Sequence, residues 1–252
     1  MRILLLDIET APNVAHVWGL YQQNVSISQL QASSYVMCWA AKWHGEKPMH
    51  FGSVHKSSAK KMLAPIHKLL SEADAVVHYN GSRFDIPTLN KEFILHGFEP
   101  PPPSKNVDLL HVARDRFRFP SNKLDYVANA LGLGQKTKHA GHELWVRCMA
   151  GDADAWAEME RYNRNDVALL EKVYERMLPW IKNHPNHGTY SEGETPVCPN
   201  CGGVDLMRDG FAHMAVGKYQ RFKCRGCGSR ARAAAMLNSK TKRAAILRPV
   251  AS

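Results

Sequence analysis

The stretch "RILLLDIETAP" constrains this chain more than any other, because the apolar run Ile3 to Leu6 leads directly into two carboxylates, Asp7 and Glu9, one residue apart. A continuous apolar run of this length suits a buried central strand of a sheet that is covered on both faces. Residues two apart in a strand share a face, so Asp7 and Glu9 sit side by side at the end of that buried segment. Their mutual repulsion has two resolutions. Either the strand runs out into solvent, or a divalent cation turns the clustered oxygens into ligands, and other acids must then converge there.

The following segments supply the layers around such a strand. "SSYVMCWAAKWHG" and "KPMHFGSVH" are rich in β-branched and aromatic residues and read as a hairpin next to the first strand. "SSAKKMLAPIHKLLSEA" switches to helical spacing, with Met62, Leu63, Ile66, Leu69 and Leu70 on one face, and Pro65 either kinks it or sits near its start. "DAVVHYN" reads as a short buried strand, and "IPTLNKEFILHG" as a helix with Gly97 at its C-cap. After the extended "EPPPPS", "NVDLLHVARD" is a strand candidate and "KLDYVANALGLG" a short amphipathic helix; another helical region runs from about Asp152 to Ile181. Three strands, helix, strand, helix, strand and helices in that order predict an α/β fold, a mixed sheet with helices on its faces.

The candidates for further acids lie at the boundaries of these elements. In "HYNGSRFDIPTL", Asp85 follows a strand ending near Tyr79 and opens a helix. It is either a first-turn helix acid or, if that strand runs parallel to the first, an acid at the same end of the sheet as Asp7. In "YNRNDVALLEKVY", Tyr162 and Asp166 are four apart and share one side of a helix. Each pattern alone is common on surface helices.

Together and in this order, D-I-E at Asp7 to Glu9, N-G-x-x-F-D-x-P from Asn80 to Pro87 and Y-x-x-x-D at Tyr162 to Asp166 resemble the DEDD superfamily of 3′→5′ exonucleases. The match is to the Tyr-containing (DEDDy) subgroup of the DnaQ-like branch, and it extends over most of residues 1–183. The middle motif is similar to the exonuclease motif of family-B DNA polymerases. The resemblance implies a ribonuclease H-like, five-stranded mixed sheet flanked by helices. It also implies two Mg²⁺ or Mn²⁺ ions, with Asp7 bridging them, Glu9 and Asp166 completing the ion that activates water, and Asp85 holding the second ion mainly through water. Tyr162 would hydrogen-bond the attacking water. On the substrate side, the Asn80 side chain and Gly81 backbone are expected at the terminal nucleotide, and Thr10 at the 3′ end. Phe84 either stacks on a base or anchors its helix in the core. Asp108 is expected to be structural, and His139 and His142, three apart around a glycine, to face solvent or phosphate from a loop.

The C-terminal part differs in composition. Residues 196–252 hold 11 Lys and Arg against 2 Asp and Glu, so they carry most of the formal net charge of +10, which points to a polyanion-binding appendage on a near-neutral body. Cys38 and Cys148 are isolated and read as buried small hydrophobes, whereas Cys198, Cys201, Cys224 and Cys227 form two C-x-x-C pairs, "CPNCGG" and "CRGCGS", separated by 22 residues. That pattern predicts a zinc ribbon, with one structural Zn²⁺ on four thiolates and "LMRDGFAHMAVGKYQRFKC" as its hairpin. "GKYQRFKCRGCG" also looks like the ribbon of some insertion-sequence transposases. Lys218, Tyr219, Arg221, Phe222 and Arg225 are its expected nucleic-acid contacts.

The expected organisation is an exonuclease domain at 1–183, a polar linker at 184–195, the ribbon at 196–235 and a basic flexible tail at 236–252. No apolar run approaches the ~20 residues of a membrane span, and "ILLL" is too short for the apolar part of a signal peptide, so a cytoplasmic setting is expected. Nucleic acid with a 3′ end, single-stranded DNA ahead of RNA, is the expected partner. A ribonuclease H-fold transposase or structure-specific endonuclease, and a non-catalytic nucleic-acid-binding protein, are the rivals. A transposase needs a D, D, E triad and has no use for the tyrosine a turn before the last acid; a non-catalytic protein has no need of all four acids.

Overall fold

The structure, a computed structural model, describes residues 1–137 and 140–248. The chain divides into two compact units, one formed by Arg2–Tyr174 and the other from Glu175 onward. No helix among the described residues is long and apolar enough to cross a membrane.

The first unit is a mixed sheet between helices. Its strands are β1 (Ile3–Thr10), β4 (Val36–Trp43), β5 (Met49–Ser53), β6 (Ala75–His78) and β7 (Lys105–Asp108), and a small ladder of β2 (Val14–Ala15) and β3 (Leu30–Ala32) follows β1. The sheet order is β5-β4-β1-β6-β7. β1 is therefore central, antiparallel to β4 and parallel to β6, and β6 is parallel to β7. The helices are α1 (Ala59–Glu72), α2 (Asp85–Leu95), α3 (Leu109–Arg116), α4 (Leu124–Ala130), α5 (His142–Met149) and α6 (Ala153–Met177).

Alternation along β1 decides what each side of the sheet does. Leu4, Leu6 and Ile8 join the core made with Met62, Leu63, Ile66 and Leu70 of α1 and Leu89 and Phe93 of α2. Full burial stabilises each such side chain by about 1.5–3 kcal/mol relative to exposure. A second core on the other side joins Cys38 of β4 to Leu144 and Cys148 of α5 and to Trp156, Met159 and Tyr162 of α6. Asp7 and Glu9 have the opposite parity to Leu4, Leu6 and Ile8, so they turn toward α6. The two isolated cysteines are buried, as small hydrophobes are.

Several local readings were refined by the structure. The helix α1 continues through Pro65, which lies on the exposed side where the lost hydrogen bond faces water. Gly97 follows α2 at φ +74°, in the left-handed conformation of a C-terminal cap. "NVDLLHVARD" is strand only as far as Asp108, whose side chain accepts from Leu110 N at 3.0 Å and starts α3. The helix α5 was not anticipated: Gly141 at φ +65° ends the preceding loop and His142 begins the helix, while His139 lies outside the described residues. Also unforeseen, residues 14–27 expose Trp18, Leu20, Tyr21 and Ile27.

The second unit contains a three-stranded antiparallel ribbon, order β10-β9-β8, made of β8 (Leu206–Met214), β9 (Gly217–Cys224) and β10 (Arg230–Met236), followed by the short helix α7 (Lys240–Ala244).

Candidate active site

The parallel pairing of β1 with β6 ends at Leu5 and Val77, so the last part of β1 passes beyond its neighbour. The Ile8 N–H there is taken up by the carboxylate of Asp85, which accepts it at 3.1 Å. Asp85 is buried at the first turn of α2, so its side chain ties the second motif to the backbone between Asp7 and Glu9. From the other side of the cleft, α6 presents buried Tyr162 and Asp166 one turn apart. Carboxylate oxygens of Asp7, Glu9 and Asp166 come within 4.8 Å of one another, and Asp85 flanks that group. The acids thus meet at the carboxyl ends of parallel strands, where open α/β sheets place their ligands.

Electrostatics at this place is unbalanced. Burial, and then the carboxylates of Glu9, Asp85 and Asp166, push the Asp7 carboxyl well above the usual range. Burial raises Glu9 to about 8, with Asp166 and Asp85 adding to it against the relief from Lys136. Asp85 is pushed up to about 7, mainly by burial. The Tyr162 phenol is held above its ordinary value by burial and by Asp166, so it keeps its proton at neutral pH. Clustered, desolvated oxygen donors without enough positive charge suit hard divalent cations, and the four acids fit Mg²⁺ or Mn²⁺ by donor type.

Two residues of the site were missed in the sequence. Asn163 donates its amide to Asp7 Oδ2 at 2.7 Å and so orients the carboxylate. Its position inside "YNRND", next to Tyr162, was the available signal. Lys136 pairs with Asp166 and lies 3.2 Å from the Tyr162 hydroxyl. It closes the stretch "KLDYVANALGLGQK", which shares in the family resemblance, but no pattern there gives the lysine a role and only tertiary contact reveals one.

The turn before Asp85 is built by buried polar groups. Asn80 adopts φ +69°, a conformation that asparagine tolerates better than most residues. Its N–H and that of Ser82 donate to the two oxygens of Asp108 at 2.9 and 3.3 Å, which confirms a structural use for that acid. The Gly81 N–H donates to Nδ1 of fully buried His78 at 3.1 Å. Burial lowers the pKa of His78, and the neutral ring has Nε2 3.3 Å from Asn106 Oδ1. Phe84 is 43% exposed, so it is not a core anchor. Thr10 is half-buried at a register shift after Glu9. A cleft of about 540 Å³ opens beside Asp7, lined by Tyr79, Asn80, Arg114, Asn122, Lys123 and Lys136 among others.

In the ribbon, all four thiols lie within 4.8 Å of one another. The Cys198–Cys227 and Cys201–Cys224 sulfur pairs are 3.6 Å apart. Zinc–sulfur bonds near 2.3 Å make a tetrahedron with edges of about 3.8 Å, so the four cysteines fit Zn²⁺. The two turns are alike: Gly202 N donates to Cys198 O and Gly228 N to Cys224 O, at 2.9 and 3.0 Å, with both glycines left-handed at φ +73° and +81°. The expected contact residues fall on both faces of β9. Tyr219 and Arg221 share one face with Lys223 and their β10 partners Arg230 and Arg232, whereas Lys218 and Phe222 share the other. Arg232 lies 4.2 Å over the Tyr219 ring, Arg221 pairs with Asp209 at 3.2 Å, and Arg225 is 3.9 Å from Asp205.

Fold and site define an α/β protein with a partly buried acid cluster at the ends of its strands. A family model described as the RNase_H superfamily matches residues 4–178, and the chain belongs to the RNase H superfamily. Among solved structures, it is similar to a family B DNA polymerase from the hyperthermophilic archaeon Pyrobaculum calidifontis, at 20% identity and a TM-score of 0.53. That likeness, which is one of fold, covers 71% of this chain and 24% of the polymerase chain. No curated protein matches the sequence.

Proposed function

We propose that this chain is a metal-dependent 3′→5′ exonuclease that hydrolyses the terminal phosphodiester of nucleic acid, with single-stranded DNA favoured over RNA. The observation that carries this reading is the convergence of Asp7, Glu9 and Asp166, with Asp85 alongside and the protonated hydroxyl of buried Tyr162 near Asp166. Membership of the RNase H superfamily supports a nuclease, and the three ordered motifs support the DEDDy type.

Two Mg²⁺ or Mn²⁺ ions, when bound, supply a water of lowered pKa and neutralise charge on the phosphate. Asp7, Glu9 and Asp166 would hold one and Asp85, with Asp7, the other. Asn163 keeps the Asp7 carboxylate turned toward the cleft. Tyr162 orients the attacking water by its hydroxyl and, being protonated, does not remove the proton. The exposed ring of Phe84 and the Asn80–Gly81 turn receive the last nucleotide, stacking being worth about 1–3 kcal/mol per base. The ribbon, closed by Zn²⁺ on its four cysteines, grips the strand through its cationic faces. Four thiols kept for metal suit a reducing compartment, and we place the protein in the cytosol.

The test uses 5′-labelled single- and double-stranded DNA and RNA with Mg²⁺ or Mn²⁺, and Asp7→Ala as control. A ladder shortening from the 3′ end, absent in the control, supports the reading. Internal cuts in circular DNA, or binding without shortening, refute it.

A further inference from the structure

The acid cluster carries a cation of its own. Lys136 Nζ pairs with the almost fully buried carboxylate of Asp166 and lies 3.2 Å from the Tyr162 hydroxyl, with only about a third of its side chain exposed. The segment that delivers it is held on both sides. The Lys136 N–H donates to Asp125 Oδ1 at 2.7 Å, Gln135 Nε2 to Asn129 Oδ1 at 3.2 Å, and Asn165 Nδ2 of α6 to Thr137 Oγ1 at 2.9 Å. The ammonium is therefore positioned by α4 and α6 together. The ammonium of Lys136 holds Oδ2 of Asp166, and a divalent ion that takes this oxygen as a ligand competes with it.

We propose, resting on the reading of these acids as a metal site, that Lys136 is a resident counter-cation that holds the acid cluster together without metal and is displaced from Asp166 when a divalent ion binds. Lys136 then sets metal affinity as a positioning residue. It lowers the electrostatic cost of four adjacent carboxylates, two buried (Asp85 and Asp166) and two half-buried (Asp7 and Glu9), when no metal is bound, and each incoming ion must overcome its charge. At an effective dielectric near 20, a unit charge about 4 Å away alters dication binding by orders of magnitude; partial exposure and the freedom of a lysine to turn aside reduce this to about tenfold or more. Displaced from Asp166, the same side chain borders the cleft with Arg114 and Lys123, where a phosphate would meet it.

The experiment is Mn²⁺ titration of the full chain, followed by electron paramagnetic resonance, for wild type, K136M and K136R. K136M is expected to bind Mn²⁺ about tenfold more tightly than wild type, and K136R to stay within about threefold, because it keeps the charge. With chelator, K136M is expected to melt below wild type and to regain the difference on saturation with Mn²⁺. If K136M does not accumulate as a folded protein, K136Q carries the same comparison. Equal or weaker Mn²⁺ binding in the neutral variant overturns the proposal. Failure of all the proteins to bind Mn²⁺ overturns the metal-site reading and this one with it. Mn²⁺ binding that is tighter in K136M, without hydrolysis of any oligonucleotide, upholds this proposal and overturns only the nuclease reading.

Discussion

Gly81→Ala is expected to be costly because of one contact. A Cβ at Gly81 would stand 2.4 Å from His78 Cγ, 2.7 Å from its Cβ and 2.8 Å from its Nδ1, all closer than nonbonded carbon and nitrogen atoms approach. The ring cannot retreat, since His78 is fully buried and its Nε2 is engaged with Asn106. Overpacking of a well-filled site costs about 1–3 kcal/mol, and weakening the Gly81 N–H to His78 Nδ1 bond adds about 1 kcal/mol, giving roughly 2–4 kcal/mol. At about 2–4 °C per kcal/mol for a unit of this size, scanning calorimetry should show a Tm lower by roughly 5–15 °C. The same turn leads into Asp85, so hydrolysis should fall on the order of 10²-fold through misplacement of that carboxylate. His78→Ala removes the obstacle, and in that background Gly81→Ala should cost less than about 1 kcal/mol. A Gly81→Ala protein that melts within about 1 °C of wild type, or an equal loss in the His78→Ala background, would refute the reasoning.

His78 also gives a pH signature. Burial depresses its pKa below the ordinary 6.5, so below that pH the unfolded chain binds a proton the folded chain refuses, and stability falls as the pH falls. The stability advantage of wild type over His78→Asn should shrink between pH 7 and 5, by at most about 1.4 kcal/mol per pH unit, as read by urea unfolding. Tyr162→Phe should lower kcat on the order of 10²-fold with Mn²⁺ affinity changed less than about threefold, since in the proposed mechanism the hydroxyl orients water and holds no ion. Elemental analysis should find one zinc per chain, and Cys201→Ser should lose it together with the ribbon's protection from proteolysis. Lys223→Ala and Arg232→Ala, on the face with most of the ribbon's arginines, should each reduce the slope of log affinity for single-stranded DNA against log salt by about 0.7. An unchanged slope would remove that face from the interface.

The legible parts of this protein were those set by local physics. An unbroken apolar run demanded a central strand, period two put Asp7 and Glu9 on one face, and a four-residue spacing put Tyr162 beside Asp166 on a helix. Two C-x-x-C pairs at ribbon spacing announced four thiols that meet. Even the N-G turn before Asp85 was visible as a pattern, although its reason, buried His78 under Gly81 and Asp108 under Asn80, was not. Where local signals competed, the reading was less complete. Asp108 ended a strand and began a helix because its carboxylate capped the next turn, and α5 lay hidden behind a glycine that served as its N-cap.

Tertiary structure alone decided the rest, since it rests on groups far apart in the chain that meet only after folding. Asp85 accepts from Ile8 across 77 residues, Asn163 orients Asp7 across 156, and Lys136 reaches Asp166 from a loop with no periodicity to betray it. The sequence by itself determined which acids can form a site, because residue type and spacing are local. Which of them share a face, which one a lysine already neutralises, and where the cleft opens depended on the sheet order and on α6 crossing the end of β1, and no local pattern encodes a contact between them.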